Sequence, residues 1–478
     1  MNIREGLTFD DVLLVPKFSD VTSRSQTDLS TQLSRNISIN IPLISANMDT
    51  VTEASMAVTI AREGGIGIIH RFLTIQEEVN EVLKVKRSGS VMIENPYTIN
   101  PEQTIQNAFT TMNEKQVSGL LVVDSNSKLV GILTERDVLF EPPNCSKLVK
   151  DLMTKDVVTA KQGIDLEEAK EVLKKNRIEK LPIIDDNNLV KGLITCQDIS
   201  NLEKYPNASK DNKGRPIVGA AVGVKGDFME RTEALIGAGT DAIVVDIAHG
   251  HSENAINTVK NIKKAFSDCE IIAGNVATAK GTEDLIKAGV DAVKVGVGSG
   301  SICITRVITG SGVPQLTAVL DCAKVGKEYN IPIISDGGTR NSGDATKALA
   351  AGASSIMVGG ILGGTDETPG TTITKNNKRF KIYRGMASLG ASMGRKTRET
   401  GAFELTDDIN DYVAEGVDAM VPYKGSVTDI ITQITGGIRS GLSYCGAHNI
   451  KQMHENAEFI KISGAGFAES QPHDVDIM

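Results

Sequence analysis

The chain has 478 residues, a formal net charge of -9 at pH 7 and 40% hydrophobic residues, which is length enough for two domains or more with sizeable cores. An acidic surface attracts neither phosphate tracks nor anionic lipid, so a general nucleic-acid or membrane-surface binder is excluded. The cysteines at 145, 196, 269, 303, 322 and 445 form no C-x-x-C pair, so neither a zinc site nor a disulfide framework is expected, and most should be buried as small apolar residues. The opening MNIREGLTFDD lacks an apolar signal core and no run approaches bilayer-spanning length, which predicts a cytoplasmic protein.

Short apolar, β-branched runs recur, most of them followed by a segment of helical periodicity. In chain order they are IPLIS (41–45), IGIIH (66–70), PIVGAAV (216–222), AIVVDIA (242–248), EIIAGN (270–275), AVKVGVG (292–298), IPIIS (331–335) and SIMVGG (355–360). Eight continuous apolar strands alternating with helices predict an α/β fold of the (β/α)8 TIM-barrel type, with a doubly wound open sheet as the rival. The units follow closely except between the second and third, where a long insert intervenes.

That insert repeats itself. KLVGILTERDVL (128–139) aligns with NLVKGLITCQDI (188–199), and each copy is preceded by an amphipathic helix and an apolar strand. The chain therefore divides into a barrel of residues 1–90 and 206–478 and an inserted pair of residues 91–205, with copies at about 93–145 and 149–205. The pair resembles tandem CBS modules, which bind adenine or guanine nucleotides; the resemblance places Thr134, Asp137, Thr195 and Asp198 toward phosphate and ribose. An insert without a ligand is the plain alternative. Residues 361–478 are more polar than a closing helix needs, and 394–412 are the candidate for a mobile flap.

In a parallel barrel the active site lies at the C-terminal ends of the strands. There the chain places Ser45 with Asn47, Asp246, the loop Gly296-Val297-Gly298-Ser299-Gly300 leading to Cys303, Asp336-Gly337-Gly338, and Gly359-Gly360. The glycine pairs after the last two strands suit a phosphate, because backbone N–H groups reach phosphate oxygens only where no Cβ intervenes. Tight turns alone would also explain them. Asp336 beside them suits ribose hydroxyls. Cys303 is expected as a nucleophile with the Thr305 hydroxyl near the same centre, since Gly296, Gly298 and Gly300 have no evident use in plain packing.

VGVGSGSICITRVITGSGVPQ (295–315), LTFDDVLLVP (7–16), YRGM (383–386), AEGV (414–417) and VPYKG (421–425) together resemble the IMP dehydrogenase and GMP reductase family over nearly the whole chain. The resemblance implies that Cys303 attacks C2 of a purine nucleotide, with hydride passing between that carbon and a nicotinamide dinucleotide. It implies that Ser301, Tyr383, Arg384, Gly385, Met386 and Ala387 hold the nucleotide with Glu415 near its base. Asp246 and Gly296 to Gly298 would meet the dinucleotide; no G-x-G-x-x-G follows a strand in Rossmann fashion. It also implies potassium, a monovalent cation, on carbonyls of Gly298, Gly300 and Cys303, completed by Glu469, Ser470 and Gln471 of a neighbouring subunit in a homotetramer.

The two activities of that family part at hydrolysis, which needs a base for water. In most dehydrogenases the resemblance would supply it from a flap Arg-Tyr pair; here the flap has Arg395 and Arg398 without that tyrosine, which leaves two alternatives, Thr305 with Glu415 or a flap arginine such as Arg398 after a small shift in register. Asn47 and Gly359-Gly360 lean toward the reductase. VTEAS (51–55), HGHS (249–252), VPYKG and the terminal ESQPHDV lean toward the dehydrogenase, which oxidises IMP to XMP with NAD. On this balance the dehydrogenase is expected, with the GMP reductase as alternative and a non-catalytic purine-nucleotide sensor as a third reading.

Overall fold

The structure, a computed structural model, describes residues 3–89, 92–115, 117–142, 144–400 and 413–472. All eight expected apolar runs form strands: β1 (Leu43–Ser45), β2 (Ile66–Ile69), β3 (Val218–Val222), β4 (Ala242–Asp246), β5 (Glu270–Val276), β6 (Ala292–Val295), β7 (Ile333–Asp336) and β8 (Ser355–Val358). They pair in parallel with their chain neighbours, and β8 pairs with β1, closing the barrel. The open-sheet rival is thereby excluded.

Burial explains the composition of these strands. Every residue of β1, β2, β3, β6 and β8 is buried, as required of parallel strands covered on both faces. The outer layer is α1 (Ala54–Arg62), α2 (Ile75–Arg87), α3 (Phe228–Gly237), α4 (Glu253–Ala265), α5 (Ala279–Ala288), α6 (Gln315–Tyr329), α7 (Ser342–Ala350) and α8 (Val427–Tyr444). Several begin on a polar cap whose side chain accepts a backbone N–H of the first turn: Ser252, Thr278, Asn341 and Ser426. Such caps fix where the chain leaves the barrel mouth and turns into its helix. In α4 the buried Ala255, Thr258, Val259 and Ile262 recur at helical spacing and face the strands.

The chain separates into two compact units, one of residues 1–86, 207–211 and 216–478, the other of residues 87–206 and 212–215. The second unit is built twice on one plan. In the first copy Thr98–Ile99 pairs in parallel with Gly119–Val123, which pairs antiparallel with Leu129–Thr134. In the second, Ala160–Lys161, Lys180–Ile184 and Val190–Thr195 repeat that order. Even the register shift recurs, at Val122/Val123 and at Ile183/Ile184. The copies diverge after their last strand: Cys196–Lys204 is a helix, whereas 135–140 stay in turns ahead of Pro142, whose missing N–H and fixed φ oppose a helix.

Thr134 and Asp137, and likewise Thr195 and Asp198, are hydrogen-bonded to one another. Thr134 Oγ1 donates to Asp137 Oδ2 at 2.8 Å and Thr195 Oγ1 to Asp198 Oδ2 at 2.6 Å, with each threonine's backbone N–H on the same oxygen. The pairs fix the turn that ends each copy's strand. Cys145, Cys322 and Cys445 are buried as expected, but Cys196 is exposed.

Beyond β8 an antiparallel sheet of Ile373–Lys375, Lys378–Arg384 and Asp418–Pro422 precedes α8. The flap candidate begins inside the helix Leu389–Thr400; its residues 401–412 lie outside the described residues, and so do the side chains of Arg395 and Arg398. No helix among the described residues is long and apolar enough to cross a membrane.

Candidate active site

The loop after β6 is shaped by its own neighbours. Gly296 has φ +151°, and a Cβ there would stand 1.9 Å from the carbonyl oxygen of Asp336. Gly298, at φ +76°, would place a Cβ 2.5 Å from Arg306 Cγ. The expectation that these glycines have no packing use is therefore corrected: β6 and β7 leave the barrel too close together for a side chain at Gly296. Gln315, buried on α6, rivets the same loop, donating to Val295 O at 2.9 Å and Ser335 Oγ at 3.1 Å while accepting from Ser299 Oγ at 2.9 Å. Gly296→Ala should cost roughly 3 kcal/mol or more of stability and lower activity by about 100-fold through displacement of the loop. Thermal unfolding and initial rates measured on the same preparation check both.

The loop delivers Cys303 to a shared centre. Cys303 N donates to Gly300 O at 3.1 Å, Ile304 N to Glu415 O at 2.8 Å, and Glu415 N to Ala387 O at 3.1 Å, so the three segments around 303, 387 and 415 are stitched by main chain. Cys303 Sγ lies 3.2 Å from Thr305 Oγ1, which donates to Glu415 Oε2 at 2.8 Å. Because the threonine proton is committed to the carboxylate, its lone pairs face the thiol as acceptor. The chain of contacts leads a proton from sulfur toward Glu415.

These side chains line a cavity of ≈ 280 Å³. Its wall includes Gly296, Val297, Gly298, Gly300, Cys303, Thr305 and Glu415, together with Asp246, Asp336, Tyr383, Gly385, Met386 and Ala387. Ser301, Gly359 and Gly360 adjoin it at Tyr383. Ser301 Oγ is 3.4 Å from Tyr383 OH, and a Cβ on Gly360 would come within 2.9 Å of Ser301 Oγ, one on Gly359 within 3.2 Å of Tyr383 OH. Bare backbone lets the chain pack here against Ser301 and Tyr383, and Lys424 Nζ donates to the carbonyls of Gly360 and Ile361 at 3.0 and 2.8 Å. Burial pushes the Tyr383 phenol up, keeping it a neutral donor.

Other expected residues are placed differently. Ser45 is fully buried in the barrel wall, where its hydroxyl accepts from Thr52 Oγ1 at 2.9 Å; Ala46, Asn47 and Met48, beyond the strand end, line the cavity instead. Arg384 is tied to Asp49 through Nε at 2.9 Å. Gly337 and Gly338 sit at φ +93° and +77°, but the Gly338 N–H donates to Ser299 O at 3.0 Å, joining two loops. Glu469, Ser470 and Gln471, expected to serve a neighbouring subunit, end the helix Gly464–Glu469 and are exposed. Among the described residues no group of three or more His, Cys, Asp or Glu side chains is arranged to hold a metal.

Sequence reasoning missed Lys294, Asn275 and Arg71, all of which line the cavity. Lys294 is buried in β6, its Nζ 2.8 Å from Asp336 Oδ2 and 3.2 Å from Asp246 Oδ1, and it also donates to Asn275 Oδ1. Burial would lower its pKa, but Asp336 and Asp246 outweigh that and hold it up at about 12. Burial opposes ionisation of Asp246 as well, yet Lys294 and then Arg71 hold its carboxyl below the ordinary range. The signal was present in the sequence: a lysine inside the apolar run AVKV demands buried partners.

A closed parallel barrel with a cysteine, a hydroxyl and a carboxylate in one hydrogen-bonded row on the wall of a cavity at its mouth has the layout of an enzyme. A family profile described as the IMP dehydrogenase / GMP reductase domain matches residues 6–473, and the chain belongs to that family. It is 75% identical over 478 residues, covering both chains fully, to an inosine-5'-monophosphate dehydrogenase of Nitrosopumilus maritimus (strain SCM1). It is 53% identical to one of Aquifex aeolicus (strain VF5), covering 99% of this chain and 96% of that one. Among solved structures it resembles GMP reductase from Trypanosoma brucei in complex with guanosine 5'-monophosphate, with a TM-score of 0.92, 45% identity and 99% of each chain covered.

Proposed function

We propose that the chain is an NAD-dependent IMP dehydrogenase that oxidises IMP to XMP in guanine nucleotide synthesis. The observation that carries this reading is the 75% identity over the full chain to a protein named for that activity; the Cys303–Thr305–Glu415 row on the cavity wall, which both activities of the family would use, supplies the residues for the chemistry. Cys303 loses its proton toward Thr305 and Glu415, and the thiolate adds to C2 of the purine as the C2=N3 π pair moves onto N3. Hydride then leaves C2, and a thioimidate remains on Cys303. Once Glu415 has shed that first proton to solvent, water adds to the same carbon with its proton passing to the relay, and the C–S bond breaks as this second proton returns to sulfur, releasing XMP and restoring the thiol. The balance is IMP, NAD and water giving XMP, NADH and a proton.

Asp336 suits the nucleotide ribose, and the corner at Ser301, Gly359, Gly360 and Tyr383 suits its phosphate. The donor set fits a nicotinamide dinucleotide without a Rossmann turn: a carboxylate at Asp246 for ribose hydroxyls and bare backbone at Gly296 to Gly298. That dinucleotide supplies the hydride acceptor when bound. The neutral carbonyls of Gly298, Gly300 and Cys303 are the hard, uncharged oxygens that suit potassium rather than a divalent ion, and Glu469 to Gln471 of a neighbouring copy would complete the set in a homotetramer. The repeated unit is read as a CBS pair for adenine or guanine nucleotides, its threonine–aspartate pairs shaping the turns around the ligand.

The GMP reductase reading keeps Asn47 and the Trypanosoma brucei neighbour, at lower identity than either dehydrogenase relative. Purified protein with IMP and NAD should generate absorbance at the reduced-nicotinamide band. Decay of that band with GMP and NADPH instead, or silence in both mixtures, would overturn the assignment in favour of the reductase or the sensor.

A further inference from the structure

We propose that Lys294 is a positioning residue that couples the two halves of the cavity, holding the nucleotide carboxylate Asp336 and the dinucleotide carboxylate Asp246 on one shared ammonium. The inference rests on the roles given above to those two carboxylates.

An ammonium has three donors and no acceptor, and here three acceptors from three different strands meet it: Asp246 Oδ1 at the end of β4, Asn275 Oδ1 on β5 and Asp336 Oδ2 at the end of β7. The lysine side chain is 3% exposed, whereas Asp246 and Asp336 are 18% and 21% exposed. The carboxylates therefore face the cavity and the cation stands behind them. Because Lys294 occupies Asn275 Oδ1, the amide must turn its Nδ2 to Gly296 O at 2.7 Å and Asp336 Oδ2 at 2.9 Å. One cation thus sets both carboxylates, the sense of an amide and the carbonyl that opens the Cys303 loop. Both bonds from this network to Asp336 fall on Oδ2, which directs ribose hydroxyls to Oδ1.

Charge gives the arrangement its consequence. Two carboxylates share one ammonium, with Asn47 hydrogen-bonding Asp246 and Arg71 within electrostatic reach of it. Without Lys294 the two half-buried carboxylates would lose their shared counter-charge and hydrogen-bond anchor, leaving only Arg71 and Asn47 near Asp246, and both would drift from the geometry that meets ribose hydroxyls. In this reading Lys294 acts through the two carboxylates it holds, so its loss acts on both sites. Interactions shared in this way make the sites thermodynamically linked.

The full chain carrying Lys294→Met or Lys294→Arg tests this, with thermal unfolding confirming that each variant is folded. For the methionine variant IMP affinity, measured alone by calorimetry, should fall about tenfold or more, and KM for NAD at saturating IMP should rise by a similar factor. The arginine variant should restore most of both. If either constant stays at its wild-type value in the methionine variant, or arginine restores neither, the coupling is refuted. Should the methionine variant not fold, Asp246→Asn serves instead: it lies on the dinucleotide side, yet it should shift IMP affinity by about fivefold or more, and an unchanged affinity refutes the proposal. Wild-type turnover of IMP with NAD is the control, since its absence would defeat the functional reading and not the role of the lysine.

Discussion

Cys303→Ala is expected to lower turnover of IMP with NAD by at least roughly 10⁴-fold while IMP continues to bind. The substitution removes only Sγ. The main-chain bonds that shape the loop, Cys303 N to Gly300 O and Ile304 N to Glu415 O, do not involve it. The groups suited to ribose and phosphate, Asp336 on its Lys294 support and the corner of Ser301, Gly360 and Tyr383, lie elsewhere on the wall. Without a sulfur no covalent bond to C2 forms, and a direct hydride transfer would leave a bare cation on the ring. Initial rates by absorbance and IMP affinity by calorimetry separate the two quantities. Activity within a few fold of wild type would rule out covalent catalysis, and lost IMP binding would show that the cysteine serves the ground state.

The barrel was legible because its strands are continuous apolar runs, and continuity is a signal that needs no partner to be read. β1 to β8 coincide with the eight runs picked out from the sequence, β5 and β7 each reaching one residue further. What decided the side chains of the mouth was not legible. Ser45 is one residue short of the mouth, and in a strand one residue separates the wall from the cavity. Arg384 meets Asp49 across the fold, a pairing with no local signature. A glycine in a sequence does not say whether the neighbour excluding its Cβ is a ligand or the protein itself; at Gly296 it is the Asp336 carbonyl. Lys294 was conspicuous as a charge in an apolar strand, but its meaning depends on three acceptors contributed by β4, β5 and β7. The second unit shows the same division: its repeat was readable from alignment, whereas the mutual bonds of Thr134 with Asp137 and Thr195 with Asp198 depend on the turn each pair closes.

Glu415→Gln is expected to leave a rapid burst of reduced dinucleotide intact and to slow steady-state turnover by about 10²- to 10⁴-fold. Glutamine still accepts the Thr305 hydrogen bond, so the geometry around Cys303 survives, but an amide does not take up a proton. The two chemical phases differ in how much they need that uptake. Free thiols ionise near pH 8.5, so a thiolate is reachable with little help; water ionises near 15.7 and at neutral pH needs a base beside it. The loss therefore falls on hydrolysis of the thioimidate, which accumulates on Cys303. Rapid mixing should show a burst approaching one reduced dinucleotide per chain followed by a slow phase, and denatured protein should carry the added mass of the nucleotide. An unchanged steady state would mean that water is activated elsewhere, and the flap arginines Arg395 and Arg398 would take over as the base. Thr305→Val discriminates further, since it breaks the relay without altering the carboxylate: the same burst with the same slow phase requires the proton to pass through the hydroxyl, whereas normal turnover in Thr305→Val with slow turnover in Glu415→Gln would place Glu415 in direct contact with the attacking water.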